Sequence, residues 1–320
     1  MRIITTALVL CLTLFATAQP DSLLAQKIDT LRKQEKYIQI IETLQTNLKT
    51  NNDLWTNYQL ACYYSLTNDS SNAFYFLNKS IKKGADGKDI LTDTDFENIH
   101  KCTNWSAVVD TLEKIHLTNN IGITHPELCV ELWHIYIEDQ RFRTLLKNYK
   151  KTFPKFRTPE YTEFSKQQRP LIKARKKRAK KIIKKYGWPT YTMVGKESAE
   201  AIFLIFQHAE FKYLKKYLPL LKKAAFAGEA SKKHYAMMYD RYLMYDGKKQ
   251  CYGTQLTRSS SGINPDGSPK WGKLVFHPIE NPETINQRRA EMGMTTIEKE
   301  AKKWKIEYNP NADVKLEKMH

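Results

Sequence analysis

The chain has 320 residues with 52 Lys and Arg against 34 Asp and Glu, a formal charge of +18. Aromatic residues at 12% and an apolar fraction of 41% supply an ordered core, and the length accommodates two domains. Nowhere does the sequence reach the roughly 20 consecutive apolar residues of a membrane-spanning helix, so no transmembrane segment is expected in the mature chain.

Residues 1–18 read as a signal peptide. Arg2 gives a positive start, Ile3 to Phe15 are mostly apolar, and Ala16-Thr17-Ala18 has the small-x-small pattern that precedes cleavage, here before Gln19. Cys11 follows Leu10 rather than a small residue, which argues against a lipoprotein. The expectation is export to a periplasm or outside the cell. Cleavage removes one cation and leaves the charge at +17. In an exported protein that charge points away from nucleic acid and toward anionic lipid, lipopolysaccharide or cell-wall polymer, or serves solubility alone. Cys62, Cys102, Cys129 and Cys251 follow the signal. Their irregular spacing has no CxxC and no zinc-type pairing with His. A Cys62–Cys102 or Cys102–Cys129 bridge and four separate thiols both stay open.

Residues 19–120 read as paired helices. Tyr37, Ile40, Ile41, Leu44 and Leu48 fall at helical spacing. Leu60, Ala61 and Tyr64, then Ala73, Leu77 and Ser80, sit where a tetratricopeptide repeat places its packing residues, with a turn at Asn68-Asp69-Ser70. This unit resembles such a repeat, which implies either a groove for a protein or peptide, or a plain scaffold. Breaks at 84–87 and 119–122 precede a helix from Pro126 to about Tyr149, interrupted near Phe153-Pro154. Lys173 to Lys185 then holds nine Lys or Arg and no acid. Ile172, Ala179, Ile182, Ile183 and Tyr186 form an apolar stripe beneath it, so the segment is an amphipathic helix with a cationic face. That face is either simply solvated or a dock for an anionic envelope surface.

Further along, Ala201 to Phe206 predicts a buried helix ending in Gln207-His208-Ala209. A second helix, Leu214 to Phe226, stops at Gly228. Ser231 is positioned to cap a third that runs to Tyr245 and stops at Gly247. Gln250 to Gln255 reads as the start of an extended segment, Pro265-Asp266-Gly267 turns it, and Lys273 to Phe276 returns, a small β-hairpin. Asn281-Pro282 opens another helix closed by Gly293, and Thr296 to Ile306 is the last. The fold class is therefore mainly α: tetratricopeptide-like hairpins over 19–120, then a helical domain over 125–320 with one small β-hairpin.

Asp139-Gln140 with Arg143, Tyr186-Gly187-Trp188-Pro189, Gln207-His208-Ala209, Leu218-Pro219-Leu220, Gly228-Glu229, Asp240-Arg241, Gln250 with Tyr252-Gly253-Thr254-Gln255, and Pro278-Ile279-Glu280 with Arg288-Arg289 resemble an uncharacterised bacterial family. It is a domain of unknown function with QHA, DR and YGTQ motifs, here over about Pro126 to Ile306. The cationic insert around Lys173 is richer in Lys than that pattern. The resemblance implies export and association with helical repeats, and it brings no known activity with it.

The candidate site residues rest on their own chemistry. His208, at offsets from Ala201, Leu204 and Ile205 that place it on an apolar face, is either a core group or an acid/base. Asp240 shares a stripe with Ala236 and Leu243, so its carboxylate faces inward and needs a partner, for which Arg288, Arg289 and Arg143 qualify. Asp139 poses the same question. Gly253 permits close approach to a ligand or a tight bend. No GxSxG, HExxH, P-loop or GxGxxG pattern is present, and no cofactor or metal motif. Two functions remain: an exported binding or scaffold protein, or a metal-free acid/base enzyme. In the second, His208, Asp240 and Asp139 would be catalytic, and Arg143, Arg241, Gln207, Tyr252, Thr254 and Gln255 would bind substrate.

Overall fold

Apolar residues three and four apart, punctuated by short polar caps, wind most of the described residues into helices. The computed structural model describes residues 22–152, 158–263 and 269–309. The expected signal peptide, the break at Phe153-Pro154 and the turn at Pro265-Asp266-Gly267 lie outside them. The fold is mainly α, with one two-stranded antiparallel sheet among the described residues. It divides into two compact units, the first holding 22–121 and 133–172, the second 122–132 and 173–309.

In the first unit, α1 (Ser22–Lys33) and α2 (Tyr37–Leu48) are followed by α3 (Leu54–Leu66) and α4 (Ser70–Lys82). Asp53 caps α3 by accepting from the Thr56 N–H at 2.7 Å, and Asp69 caps α4 from Asn72 N at 3.0 Å. Asn68 takes the left-handed conformation between them, φ 62°, which Asn tolerates better than most residues. Leu60, Ala61, Tyr64, Ala73, Leu77 and Ser80 are all buried. The small residues let α3 and α4 approach, and Tyr64 stacks on Phe76 with ring centroids 5.6 Å apart. α5 (Gly87–Thr92), a 3-10 turn at Thr94–Ile99 and α6 (Asn104–Asn119) follow. Trp133 and Ile137, from the part of α7 (Pro126–Thr152) that belongs to this unit, join the same core as Phe96 and Leu112. The last piece is the start of α8 (Pro159–Tyr186).

The second unit takes the first residues of α7 and the rest of α8. It adds α9 (Tyr191–Val194), α10 (Lys196–Gln207), α11 (Phe211–Phe226) and α12 (Lys232–Tyr245). Ser231 caps α12 by accepting from His234 N at 3.2 Å, and Gly228 and Gly247 terminate α11 and α12 with φ of 80° and 72°, as their positions in the sequence imply. The strands β1 (Leu256–Ile263) and β2 (Pro269–Phe276) pair Leu256 with Phe276 and Thr257 with Val275. A 3-10 turn (Pro282–Thr284), α13 (Ile285–Glu291) and α14 (Ile297–Trp304) complete it. Asn281 does not cap with its side chain. It is left-handed, φ 43°, and its carbonyl accepts from Thr284 N and Arg288. No disulfide joins Cys62, Cys102, Cys129 and Cys251, and no described helix is long and apolar enough to cross a membrane.

Two histidines, His116 buried and His234 half-buried, make stability depend on pH. His116 stacks on Trp133 at 4.7 Å and His234 on Phe203 at 4.0 Å, and burial lowers each to about 4. The unfolded chain therefore takes up these protons first on acidification. Their contribution is complete above about pH 6.5 and is lost as pH falls toward 4. Because buried aspartates shift the opposite way, the share of one group is read from a variant. His234→Phe should flatten the urea-unfolding pH profile between about 6.5 and 4, by roughly 1–3 kcal/mol; parallel wild-type and variant profiles would contradict it.

Candidate functional site

Asp240 sits on the inner face of α12, with 0% of its surface exposed. After Gly247 the chain doubles back, and residues 251–254 wrap the carboxylate. Oδ1 accepts from Cys251 N at 2.8 Å and Tyr252 N at 3.0 Å; Oδ2 accepts from Thr254 N at 3.0 Å and Thr254 Oγ1 at 2.9 Å. Burial pushes the carboxyl up to about 6, while these donors pull it down. The carboxylate is met by three backbone N–H groups and one hydroxyl rather than by an arginine.

The arginines hold the other side of the same loop. Arg289, also fully buried, donates from Nη1 to Tyr252 O and from Nε to Thr295 O, both at 2.6 Å, with Glu300 3.5 Å away. Arg288 donates from Nε to Cys251 O at 2.9 Å. The Gln250 amide closes the loop by donating to Gln255 O (2.9 Å) and His277 O (2.6 Å) and accepting from Gln255 N (2.8 Å). Gly253, at φ 65°, lies against Ile297, Ile285 and Ile279. Its close neighbours are side chains of the unit's own small core. The segment read as extended is therefore a clamp whose loop N–H groups turn onto one carboxylate and whose carbonyls turn onto two guanidinium groups.

Of the nominated residues, the structure brings a subset together. Arg241 Nε donates to Gln255 Oε1 at 3.0 Å and Nη1 to His208 Nδ1 at 2.9 Å. Arginine only donates, so His208 Nδ1 is the acceptor and Nε2 carries the proton. α10 ends at Gln207, so His208 is the exposed C-cap rather than a residue on the buried face. Gln207 is buried beneath it, its Nε2 3.4 Å from Met237 O. The Tyr252 ring packs edge-on against Tyr239 at 6.4 Å. Asp139 and Arg143 lie on α7 within the first unit and pair with each other at 2.6 Å.

A second group, in the first unit, carried no sequence signal. Cys62, Asp93 and Asp95 are buried with their potential ligand atoms within 4.8 Å of one another. Among the described residues, this is the group of side chains that could hold a metal ion. Present neighbours already engage them: Tyr58 donates to Asp93 at 2.8 Å, Asp93 caps the 3-10 turn through Asp95 N at 2.9 Å, and Arg32 bonds Asp95 at 2.7 Å. Burial raises the Asp95 carboxyl to about 7.

A cationic surface lies on α8 and α11. Lys173, Lys177, Lys181, Lys184 and Lys185 are exposed along one face of α8. The buried face is Arg175, Ala179, Ile182 and Ile183, so Arg175 rather than Ile172 completes it. α11 adds five lysines and has no acid. Lys176 bonds Glu210, and Lys180 donates to Tyr213 Oη at 2.7 Å, which lays the start of α11 beside α8. Among the described residues, no ion pair engages Lys177, Lys181, Lys184, Lys215, Lys222 or Lys223.

Residues 160–309 match a family described only as "Family of unknown function (DUF6624)". The matched segment takes in the Asp240 clamp, His208 and both lysine rows, and leaves Asp139 and Arg143 before it. No curated protein and no solved structure matches the chain.

Proposed function

We propose that this chain is an exported binding protein that engages an anionic envelope surface through α8 and α11, its tetratricopeptide-like hairpins over 19–120 offering a groove to a protein or peptide. The observation that carries the reading is the exposed lysine face, which has almost no acid of its own to neutralise it. A surface of this kind attracts polyanions over a Debye length and releases them as salt rises. The burial of Asp240 and Gln255, each committed to the fold of the clamp, also favours binding over catalysis. The N-terminal pattern supports export.

Labelled inorganic polyphosphate tests the polyanion reading. Changing Lys177, Lys181, Lys184, Lys215 and Lys222 together to Gln should weaken binding by about tenfold or more, at roughly 1 kcal/mol or less per exposed charge, without altering the circular dichroism spectrum. Equal affinity would sink the idea.

One observation favours the alternative of a metal-free acid/base enzyme. The His208 ring is exposed and held by Arg241 with its proton on Nε2, the arrangement of a hydrogen-bond donor to a polar substrate rather than of the base expected from sequence. Its test is His208→Ala: loss of a hydrolytic or transfer activity of the purified protein, with the fold intact, would establish this reading in place of the first.

A further inference from the structure

We propose that the partner of the cationic face is an anionic lipid bilayer, and that α11 lies on it with Leu220 and Phe226 entering the headgroup layer. The inference rests on the polyanion-binding reading and goes beyond it in naming the partner's chemistry. On α11, buried Leu214, Tyr217, Leu218, Leu221, Ala224 and Ala225 define the inner face. The outer face is Lys212, Lys215, Lys216, Pro219, Leu220, Lys222, Lys223 and Phe226, all exposed. Leu220 keeps 37% and Phe226 52% of their surface in water.

Solvation explains exposed lysines but not large apolar groups set among them. A polysaccharide or phosphate polymer would satisfy the lysines and leave Leu220 and Phe226 in water. A bilayer surface satisfies both, because its phosphates lie directly above an apolar layer and lysine stems reach past apolar neighbours to the charge. Phe226 is also held in place. Its ring meets Tyr235 edge-on at 5.5 Å, and the Lys232 ammonium lies 5.5 Å from its centroid, so insertion orders little that is not already ordered. At the other end of the helix, the ammoniums of Lys176, Lys180 and Lys212 lie 4.8, 4.3 and 5.2 Å from the Tyr213 ring centre. That cluster joins the row on α8 to the face of α11 and extends the charge that would meet the headgroups.

Vesicle sedimentation of the full chain tests this, with phosphatidylglycerol/phosphatidylcholine vesicles compared with phosphatidylcholine alone. The wild type should bind the anionic vesicles and leave the neutral ones. The double variant Leu220→Ser with Phe226→Ser keeps every charge and changes only exposed positions. It should lose about tenfold or more in vesicle partitioning while its polyphosphate binding stays within about twofold. Equal vesicle binding by variant and wild type overturns the lipid assignment, as does polyphosphate binding without vesicle binding; in both cases the polyanion reading survives. Failure of the wild type to bind either probe removes both.

Discussion

Replacing Asp240 by Ala should destabilise the second unit by about 3–5 kcal/mol, the range for removing one side of a buried charged network. The substitution leaves four donors, the N–H groups of Cys251, Tyr252 and Thr254 and the Thr254 hydroxyl, without their acceptor in a place water does not reach. Each orphaned donor costs about 1–3 kcal/mol when the loop cannot move, and the sum is limited only by how far residues 251–254 open to solvent. Asp240→Asn keeps the volume but turns an N–H₂ toward donors, so it should fall between wild type and Ala. Urea unfolding gives the stability, and proteolysis of the native protein near 251–254 shows whether the loop opens. If Asp240→Ala unfolds at the wild-type denaturant concentration, the clamp is not what holds this loop.

Gly253→Ala should cost about 2–4 kcal/mol, from two additive causes. Holding a non-glycine residue in the left-handed region at φ 65° costs about 1 kcal/mol or more. The new methyl would also lie 2.6 Å from Ile297 Cδ1, 3.1 Å from Ile285 Cδ1 and 3.3 Å from Ile279 Cδ1. Isoleucine tips can shift, but Ile297 and Ile285 are buried at 0% and 2% exposure, and overpacking a closed cluster costs about 1–3 kcal/mol. Thermal unfolding checks the sum; a melting temperature within about 1 °C of wild type would mean the cluster absorbs the methyl freely.

Much of the fold was legible because helices announce themselves by period and by caps. Ser231, Gly228 and Gly247 lie where their chemistry puts a helix end, and the buried stripes of α2 and α12 follow from spacing alone. The inward turn of Asp240 was also readable from Ala236 and Leu243. Its partners were not, because the groups that meet it are backbone N–H groups, which every residue but proline carries and which leave no mark in the sequence. For the same reason Gln250 to Gln255 read as the start of an extended segment, when the amides of Cys251, Tyr252 and Thr254 are spent on the carboxylate and only Gln250 bridges a neighbouring strand-like residue, Ile279. His208 was placed on a buried face by continuing the helix one residue too far. The helix stops at Gln207, and that single residue moves the imidazole from core to surface.

The cationic face was half visible. The run from Lys173 to Lys185 is dense enough to stand out, whereas the five lysines of α11 are interleaved with the apolar residues that bury its other side, and they merge into one surface only when Lys176 and Lys180 bring α8 alongside. Likewise, Cys62 lies some thirty residues before Asp93 and Asp95, and only the packing of α3 against the 3-10 turn brings it to them.

The most direct test of the binding account is the salt dependence of polyphosphate affinity for the wild-type chain. Between about 50 and 200 mM salt, affinity should fall by about a hundredfold or more, with a linear log–log slope reporting several released counterions. A flat dependence, or no binding at the lower concentration, would contradict the assignment of α8 and α11 as the working surface of this protein.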